Sequence, residues 1–388
     1  MKEVTAKLFN WASILDEATL AQARITSELD FVTPHLSLMP DAHLGKGSTV
    51  GSVIPTLGAI IPACIGVDIG CGMIAVKTTH KVSELQSLNK EGLLESIASQ
   101  IPLSAGYYNN KVKKDAEESV SLLEILANTN GINPEIYGKN WRLQLGSLGS
   151  GNHFIEISVD EHDYIWLFLH SGSRGVGNKI ATHHISQAKK EMDAKGISLP
   201  DPDLAYLVEG TEEFEMYINE MQWAQKFAFE NRRVMMERVK AAFTHHAGGY
   251  GIIEETNCHH NFIQKETHLD QELWVTRKGA ISAKLGEKGL IPGSMGDKSY
   301  VVRGLGNPQS LNSAPHGAGR VLSRNEAKKT FSLDDLNNRM KDVIWMGSDA
   351  FLDEHPLAYK NIDVVMEDAK DLVEITATLK QIINVKGK

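Results

Sequence analysis

The stretch Ser48–Val67, STVGSVIPTLGAIIPACIGV, carries no charged side chain over twenty residues. That is the length of a membrane-spanning helix. Its content argues otherwise: Gly51, Pro55, Gly58, Pro62 and Gly66 interrupt it, and Asp68 follows at once. Each break frees backbone polar groups that lipid cannot satisfy. The stretch therefore reads as short buried strands joined by tight turns, the start of a strand-rich core in a cytoplasmic protein.

Outward from it, β-rich runs cover Met73–Thr78, Phe154–Val159, Tyr164–His170, Leu273–Thr276, Ser299–Val302, Ile375–Leu379 and Ile382–Val385. Apolar spacing predicts helices over Asn10–Leu29, Val82–Gln100, Val112–Asn128, Gly177–Lys195, Glu209–His246, Leu333–Met346 and Asp363–Leu372. Helices and strands do not alternate strictly, so the expected class is α+β, not a doubly wound parallel sheet. The longest helix carries Arg232 and Arg233, expected on a solvated helix edge. Neither a repeat nor a low-complexity linker divides the 388 residues, and one domain over residues 1–388 is expected.

Composition narrows the function classes. Lys+Arg is 40 and Asp+Glu 49, a net charge of -9. Bulk charge thus speaks against a generic basic nucleic-acid binder, while leaving room for a local basic patch. Cys64, Cys71 and Cys258 are too few and odd in number for a secreted disulfide framework. The N-terminus MKEVTAKLFNWASILDEATL lacks the regions of a signal peptide. The chain holds no G-x-x-x-x-G-K-[ST], and LGSGNHF and HGAGRV miss the G-x-G-x-x-G spacing. A nucleotide, if used, is held by another device.

Chemistry-bearing residues gather in Gly-rich segments. Pro40–Gly47, PDAHLGKG, puts Asp41 and His43 in an expected turn before a strand. Gly66–Gly72, GVDIGCG, brackets Asp68 and Cys71 with glycines that allow a sharp turn. His153 in GSGNHFIE and His170 in LHSGSRGVGN stand at expected strand–loop junctions. The second of these loops also offers hydroxyls, main-chain N–H groups and Arg174, a natural phosphate cradle at a helix start. His260 lies in CHHNF. One histidine alone is more often structural than a ligand. One carboxylate, one thiolate and three imidazoles together (Asp68, Cys71, His153, His170 and His260) would serve two metal ions if the thiolate bridged. In APHGAGR, His316 stands beside Gly317 with Arg320 four residues on. An imidazole that attacks phosphorus needs such access and such a cation.

These segments, with RKGA (277–280), PGSMG (292–296) and the terminal VKG (385–387), follow one another in an order that resembles the RtcB family of GTP-dependent RNA ligases. The resemblance covers nearly the whole chain. It implies a single large α+β domain with mixed and antiparallel sheets, surrounding helices and a dinuclear metal site in a central cleft. It further implies joining of RNA 3′-phosphate or 2′,3′-cyclic phosphate ends to 5′-hydroxyl ends, in RNA repair or tRNA splicing, through a guanylated histidine and a GMP-capped 3′ end.

Position by position, the resemblance implies that Asp68, Cys71, His153, His170 and His260 bind two Mn2+ ions shared by Cys71. His316 becomes guanylated, with GTP as co-substrate. Asn152, Phe154, Glu156, Ser294, Gly317, Gly319, Tyr359 and Lys386 hold the guanylate. Arg174, Arg320 and Asp41 face RNA or phosphate. Thiolate and imidazole donors favour zinc by intrinsic affinity; manganese is what the family implies. Thr276 stands where members commonly carry His. A helper protein for turnover is allowed for, and a membrane partner is not expected. Two alternatives share much of the residue set: a guanylyl-capping enzyme of RNA or DNA 3′-phosphates, and a dinuclear metal phosphodiesterase.

Overall fold

Period-two alternation decides how the larger sheet is buried. In the strand Gly72–Lys81, Met73 and Ala75 enter one core and Ile74 and Val76 another. Phe154 and Ile155 divide in the same way, as do Phe168 and Leu169. Successive side chains point to opposite faces, so this sheet is covered on both. That is why its strands read as unbroken apolar runs.

The computed structural model describes residues 1–85 and 88–388. The larger sheet runs in the order Ile252–His259, Gly72–Lys81, Tyr164–Ser171, Phe154–Val159, Val373–Lys386, Lys298–Gly304, Lys288–Pro292. Its neighbours along that order are antiparallel, and Ile344–Trp345 adds a short parallel strand beside Val373–Lys386. A second sheet runs Lys2–Thr5, Leu8–Asn10, Leu36–His43, Val50–Thr56, Gln271–Lys278, Asn261–His268. The architecture is α+β. The charge-free stretch is the strand Val50–Thr56, the short strand Ala59–Ile60 and a 3-10 turn at Pro62–Ile65. Among the described residues no helix is long and apolar enough to cross a membrane.

Two connections place the site between the sheets. The chain leaves the larger sheet at His259 and enters the second at Asn261, with His260 as the single residue between them. After Lys278 it turns at Gly279 into Ala280–Ser282, which pairs with Ser313–Pro315 and so sets His316 beside the junction.

Arg277 secures this corner from within. Its guanidinium is fully buried and donates to both Glu266 carboxylate oxygens, at 2.7 and 3.1 Å, and to the Leu311 carbonyl. Burial pushes the Glu266 carboxyl up, but His268 and Arg277 outweigh it and hold it at about 2. A carboxyl depressed on folding stabilises the fold above its unfolded value, near 4.5, and loses that contribution as pH falls toward 2. Arg277→Leu leaves the Glu266 charge buried without its partner and is expected to cost about 3–5 kcal/mol. Urea unfolding at neutral pH checks this, and at acid pH the gap to the parent should narrow as Glu266 protonates.

Several expectations change in the structure. The helix expected from Asn10 begins at Glu17, where Asp16 caps it by accepting from Thr19 N at 2.8 Å. Asn10 itself pairs with Leu38 in a strand. The helix expected over Val82–Gln100 is a 3-10 turn at Val82–Leu85 and an α-helix at Lys90–Gln100, residues 86 and 87 lying outside the described residues. The one expected over Leu333–Met346 stops at Arg339, because Ile344 and Trp345 pair with Ile383 and Asn384. The runs Ile375–Leu379 and Ile382–Val385 form one strand, Val373–Lys386. Asp41 and His43 lie within the strand Leu36–His43, not in a turn.

The solvated-edge expectation fails for Arg232, which is fully buried. It donates to the carbonyls of Gly70 and Ser171, at 2.8 and 3.0 Å, and to Asn257 Oδ1. Its neighbour Asn231 accepts from Gly146 N and donates to the Gly172 carbonyl. The helix Glu212–Ala247 thus ties down the segments that carry Asp68, Cys71 and His170.

Candidate functional site

Four neighbouring interior strands of the larger sheet bring their ends together on one side. Cys71 precedes the strand Gly72–Lys81 and His153 the strand Phe154–Val159. His170 lies at the end of Tyr164–Ser171, opposite Met73 and Phe154. Lys386 closes Val373–Lys386, opposite Phe154. Antiparallel pairing is what brings starts and ends together here.

Cys71 Sγ lies 3.3 Å from His153 Nε2 and 3.3 Å from His170 Nε2. Asp68 Oδ2 is 3.1 Å from His153 Nε2, and His260 Nε2 is 2.9 Å from His170 Nε2. Among the described residues, Cys71, His153 and His170 converge closely enough to hold a metal ion; Asp68 and His260 flank them. Asp68 is fixed by Ser173, whose N–H donates to Oδ1 at 2.9 Å. Gly172 lets the two approach, since a side chain there would collide with the Asp68 carboxylate.

The tautomers show what the cluster suits. His153 Nδ1 faces the Leu148 carbonyl at 3.0 Å and His170 Nδ1 the Asn152 carbonyl at 3.2 Å. Asn261 donates to the Asp68 carbonyl through Nδ2, so its Oδ1 faces His260 Nδ1. A carbonyl oxygen can only accept, so each Nδ1 carries the ring proton and each Nε2 a lone pair. Three lone pairs, a carboxylate and a sulfur then face one another with no N–H donor between them. A cation resolves that arrangement, and the second hydrogen bond on each ring is the usual support of a metal-binding imidazole. Burial and Asp68 push the bare Cys71 thiol well up, and burial pushes His170 and His260 well down. A bound cation would displace the thiol proton.

His316 stands against this cluster, its ring centroid 4.6 Å from that of His260. Asp41 Oδ2 lies 2.6 Å from His316 Nδ1, close but not aligned as a finished hydrogen bond. The same oxygen accepts from the N–H groups of His316 and Gly317 at 3.1 and 3.2 Å. Contact with a carboxylate keeps the proton on Nδ1 and the lone pair on Nε2. Gly319, at φ 72°, has no room for a side chain against the Asp41 carbonyl. Asp41 is completely buried and does not border the open cleft. Its carboxylate faces His316.

A cleft of about 300 Å³ opens beside His316. Asp68, His170 and His260 border it at one side, and Asn152, Phe154, Glu156, Ser294, Gly317, Gly319, Tyr359 and Lys386 border the rest. Burial raises the Glu156 carboxyl to about 8, against the pull of Lys386. Its Oε1 accepts from Asn384 at 3.2 Å while Oε2 is buried without a partner, a wall group that a donor-bearing ligand would complete. Arg320 donates to Tyr359 Oη at 2.9 Å, and Tyr359 donates on to Glu354 at 2.7 Å. Arg174 does not border the cleft. Its Nε donates to Ser147 Oγ at 3.0 Å and its Nη2 to the Ser104 carbonyl at 3.2 Å.

Sequence reasoning passed over other residues bordering the cleft, among them Lys278, Arg324, Glu354 and Asn384. Lys278 belongs to the quoted RKGA segment, which was the available signal. Its ammonium is buried, donating to the carbonyls of Lys46 and Ser48, and burial lowers it to about 8. Arg324 is paired with Asp353 and Glu354, and nothing in SRNEAKK or FLDEHPLAY marks those partners beforehand.

A family model described as tRNA-splicing ligase RtcB matches residues 22–387. The chain is 47% identical over 377 residues to RNA-splicing ligase RtcB of Escherichia coli K12, covering 93% of this chain and 92% of that protein. It is 30% identical over 406 residues to tRNA-splicing ligase RtcB of Pyrobaculum aerophilum, covering 86% and 83%. Against tRNA-splicing ligase RtcB of Nanoarchaeum equitans it is 29% identical over 463 residues, covering 96% and 92%.

Proposed function

Because the chain belongs to the RtcB family, and so is an RNA ligase, we propose that residues 1–388 act as one domain joining RNA 3′-phosphate or 2′,3′-cyclic phosphate ends to 5′-hydroxyl ends through GMP carried on His316. The observation that carries this reading is one imidazole, its Nδ1 2.6 Å from a buried carboxylate, standing in the cleft beside a thiol–imidazole cluster. A 3′-phosphate has no good leaving group and must be activated before a hydroxyl can displace anything from it.

His316 Nε2 attacks the α-phosphorus of GTP; the N–P bond forms and the bond to pyrophosphate breaks. The RNA 3′-phosphate oxygen then takes the guanylate from His316. Attack by the 5′-hydroxyl forms the new phosphodiester and expels GMP. Asp41 keeps His316 in the attacking tautomer and stabilises its charge. Glu156, Lys386 and Ser294 line the guanylate side, and Arg320 the phosphate side. Asp68, Cys71, His153, His170 and His260 would hold two Mn2+ ions, which would supply positive charge to neutralise phosphate oxyanions. The proposed location is the cytoplasm, where the free thiols of Cys64, Cys71 and Cys258 stay reduced.

The test is incubation with labelled GTP, Mn2+ and a 3′-phosphate RNA, with and without a 5′-hydroxyl strand. Covalent GMP on the protein and a sealed product are expected. A capped 3′ end that never seals would favour the capping alternative. Cleavage without a GTP requirement would favour the phosphodiesterase and end this reading.

Asp41→Asn gives a sharper check. The amide oxygen takes the place of Oδ2, accepting from the His316 and Gly317 N–H groups and facing Nδ1, so the tautomer holds while the negative charge that stabilises the imidazolium is lost. Guanylation is expected to fall by about 10–100-fold, the scale of a hydrogen bond to a charged group. The initial rate of adduct formation measures it.

A further inference from the structure

One imidazole of the cleft has no part in the steps above. His43 ends the strand Leu36–His43, pairs with Val50, and borders the same cleft as His316. Its Nδ1 donates to the Asp41 carbonyl at 2.9 Å. The proton is thereby fixed on Nδ1, and the lone pair on Nε2 has no protein partner among the described residues. Residue 41 thus holds two rings in one tautomer, His316 through its carboxylate and His43 through its carbonyl.

The proposed reaction asks for two services. Phosphorus must receive an electron pair, and the 5′-hydroxyl must lose a proton. His316 supplies the first. In an in-line displacement the hydroxyl arrives opposite the departing GMP, so a second base is called for. Resting on the proposed function, we infer that His43 is the general base of the sealing step. Its Nε2 takes the 5′-hydroxyl proton as O5′ bonds to the activated 3′-phosphorus. The bond from that phosphorus to the GMP oxygen breaks, and GMP leaves with the electron pair. The imidazolium then returns its proton to solvent.

The surroundings keep His43 neutral before RNA binds. Burial is the main cause and pushes it down to about 4; Asp41 opposes this, while His316 and Lys360 add to it. Lys360 Nζ donates to the carbonyls of Pro40 and Ala42 on the same strand. Lys278 and His260 border the cleft as well. An anionic diphosphate end beside the ring favours its charged form and so raises its titration back toward pH 7, where a general base is most effective.

The experiment supplies chemically prepared GMP-capped RNA and a 5′-hydroxyl strand to the full chain with Mn2+, in a single turnover, and follows sealing against pH. Guanylation with GTP alone is followed in parallel. For His43→Gln, sealing is expected to fall by about 10²–10⁴-fold more than guanylation. Capped RNA should accumulate from GTP, and the acid limb of the parent pH profile should vanish. Imidazole added to His43→Ala should restore sealing. Equal losses in both steps, an unchanged pH profile or failure of imidazole rescue would overturn the assignment. If the parent seals supplied capped RNA but never forms the adduct, the guanylation reading fails while the His43 comparison still stands on its own.

Discussion

His316→Ala is expected to carry no GMP after incubation with GTP and Mn2+, and to lose ligation by at least about 10⁴-fold. The size follows from the chemistry. Removing the nucleophile of a covalent route removes the route, and what remains is catalysis by binding and electrostatics alone. The fold has little reason to suffer, because His316 borders an open cleft and packs no core. Intact-protein mass spectrometry reads the adduct, and gel analysis of labelled RNA reads the product. Ligation of supplied GMP-capped RNA should survive far better than ligation starting from GTP, since in the proposed reaction capped RNA enters after the step assigned to His316. Equal loss from both starting points would mean that His316 acts in sealing as well, contrary to the division of labour argued above.

Cys71→Ala is the second large effect. Its sulfur touches both His153 and His170 at 3.3 Å, so one truncation removes a donor common to the whole cluster. Bound Mn2+ is expected to fall from two ions to fewer than one per chain, and guanylation to fall below detection. Metal analysis after dialysis and titration calorimetry check the first; adduct mass checks the second. The metal-free variant should unfold only slightly sooner than the metal-free parent, because the change deletes one small buried side chain and its weak contacts to the two imidazoles. Two ions retained at near-parent affinity would contradict a bridging role.

The site was more legible than the fold around it, for a physical reason. Asp68, Cys71, His153, His170 and His260 announce themselves by donor type within glycine-flanked segments, and the order of those segments resembles one family. Their partners do not. Arg232 reads as a surface charge because a helix pattern says nothing about loop carbonyls arriving from Gly70 and Ser171. The strand Leu8–Asn10 is hidden because its support is parallel pairing with Leu36–Leu38, a contact remote in sequence. Ile252–His259 is missed because it is an edge strand, IIEETNCH, with few fully buried side chains. The central strands of the larger sheet were found because burial on both faces writes itself as a continuous apolar run. Asp41 reads from sequence as an acidic residue of the site, while its contact with His316 depends on the buried strand that carries it.

Residue 260 is a single-residue step by which the chain passes from the larger sheet to the other. A cation clasped by His260 together with Cys71, His153 and His170 would therefore rivet two slabs of the molecule at their seam. An ion held there would resist movement of one sheet against the other, and its loss would loosen the seam that borders the cleft.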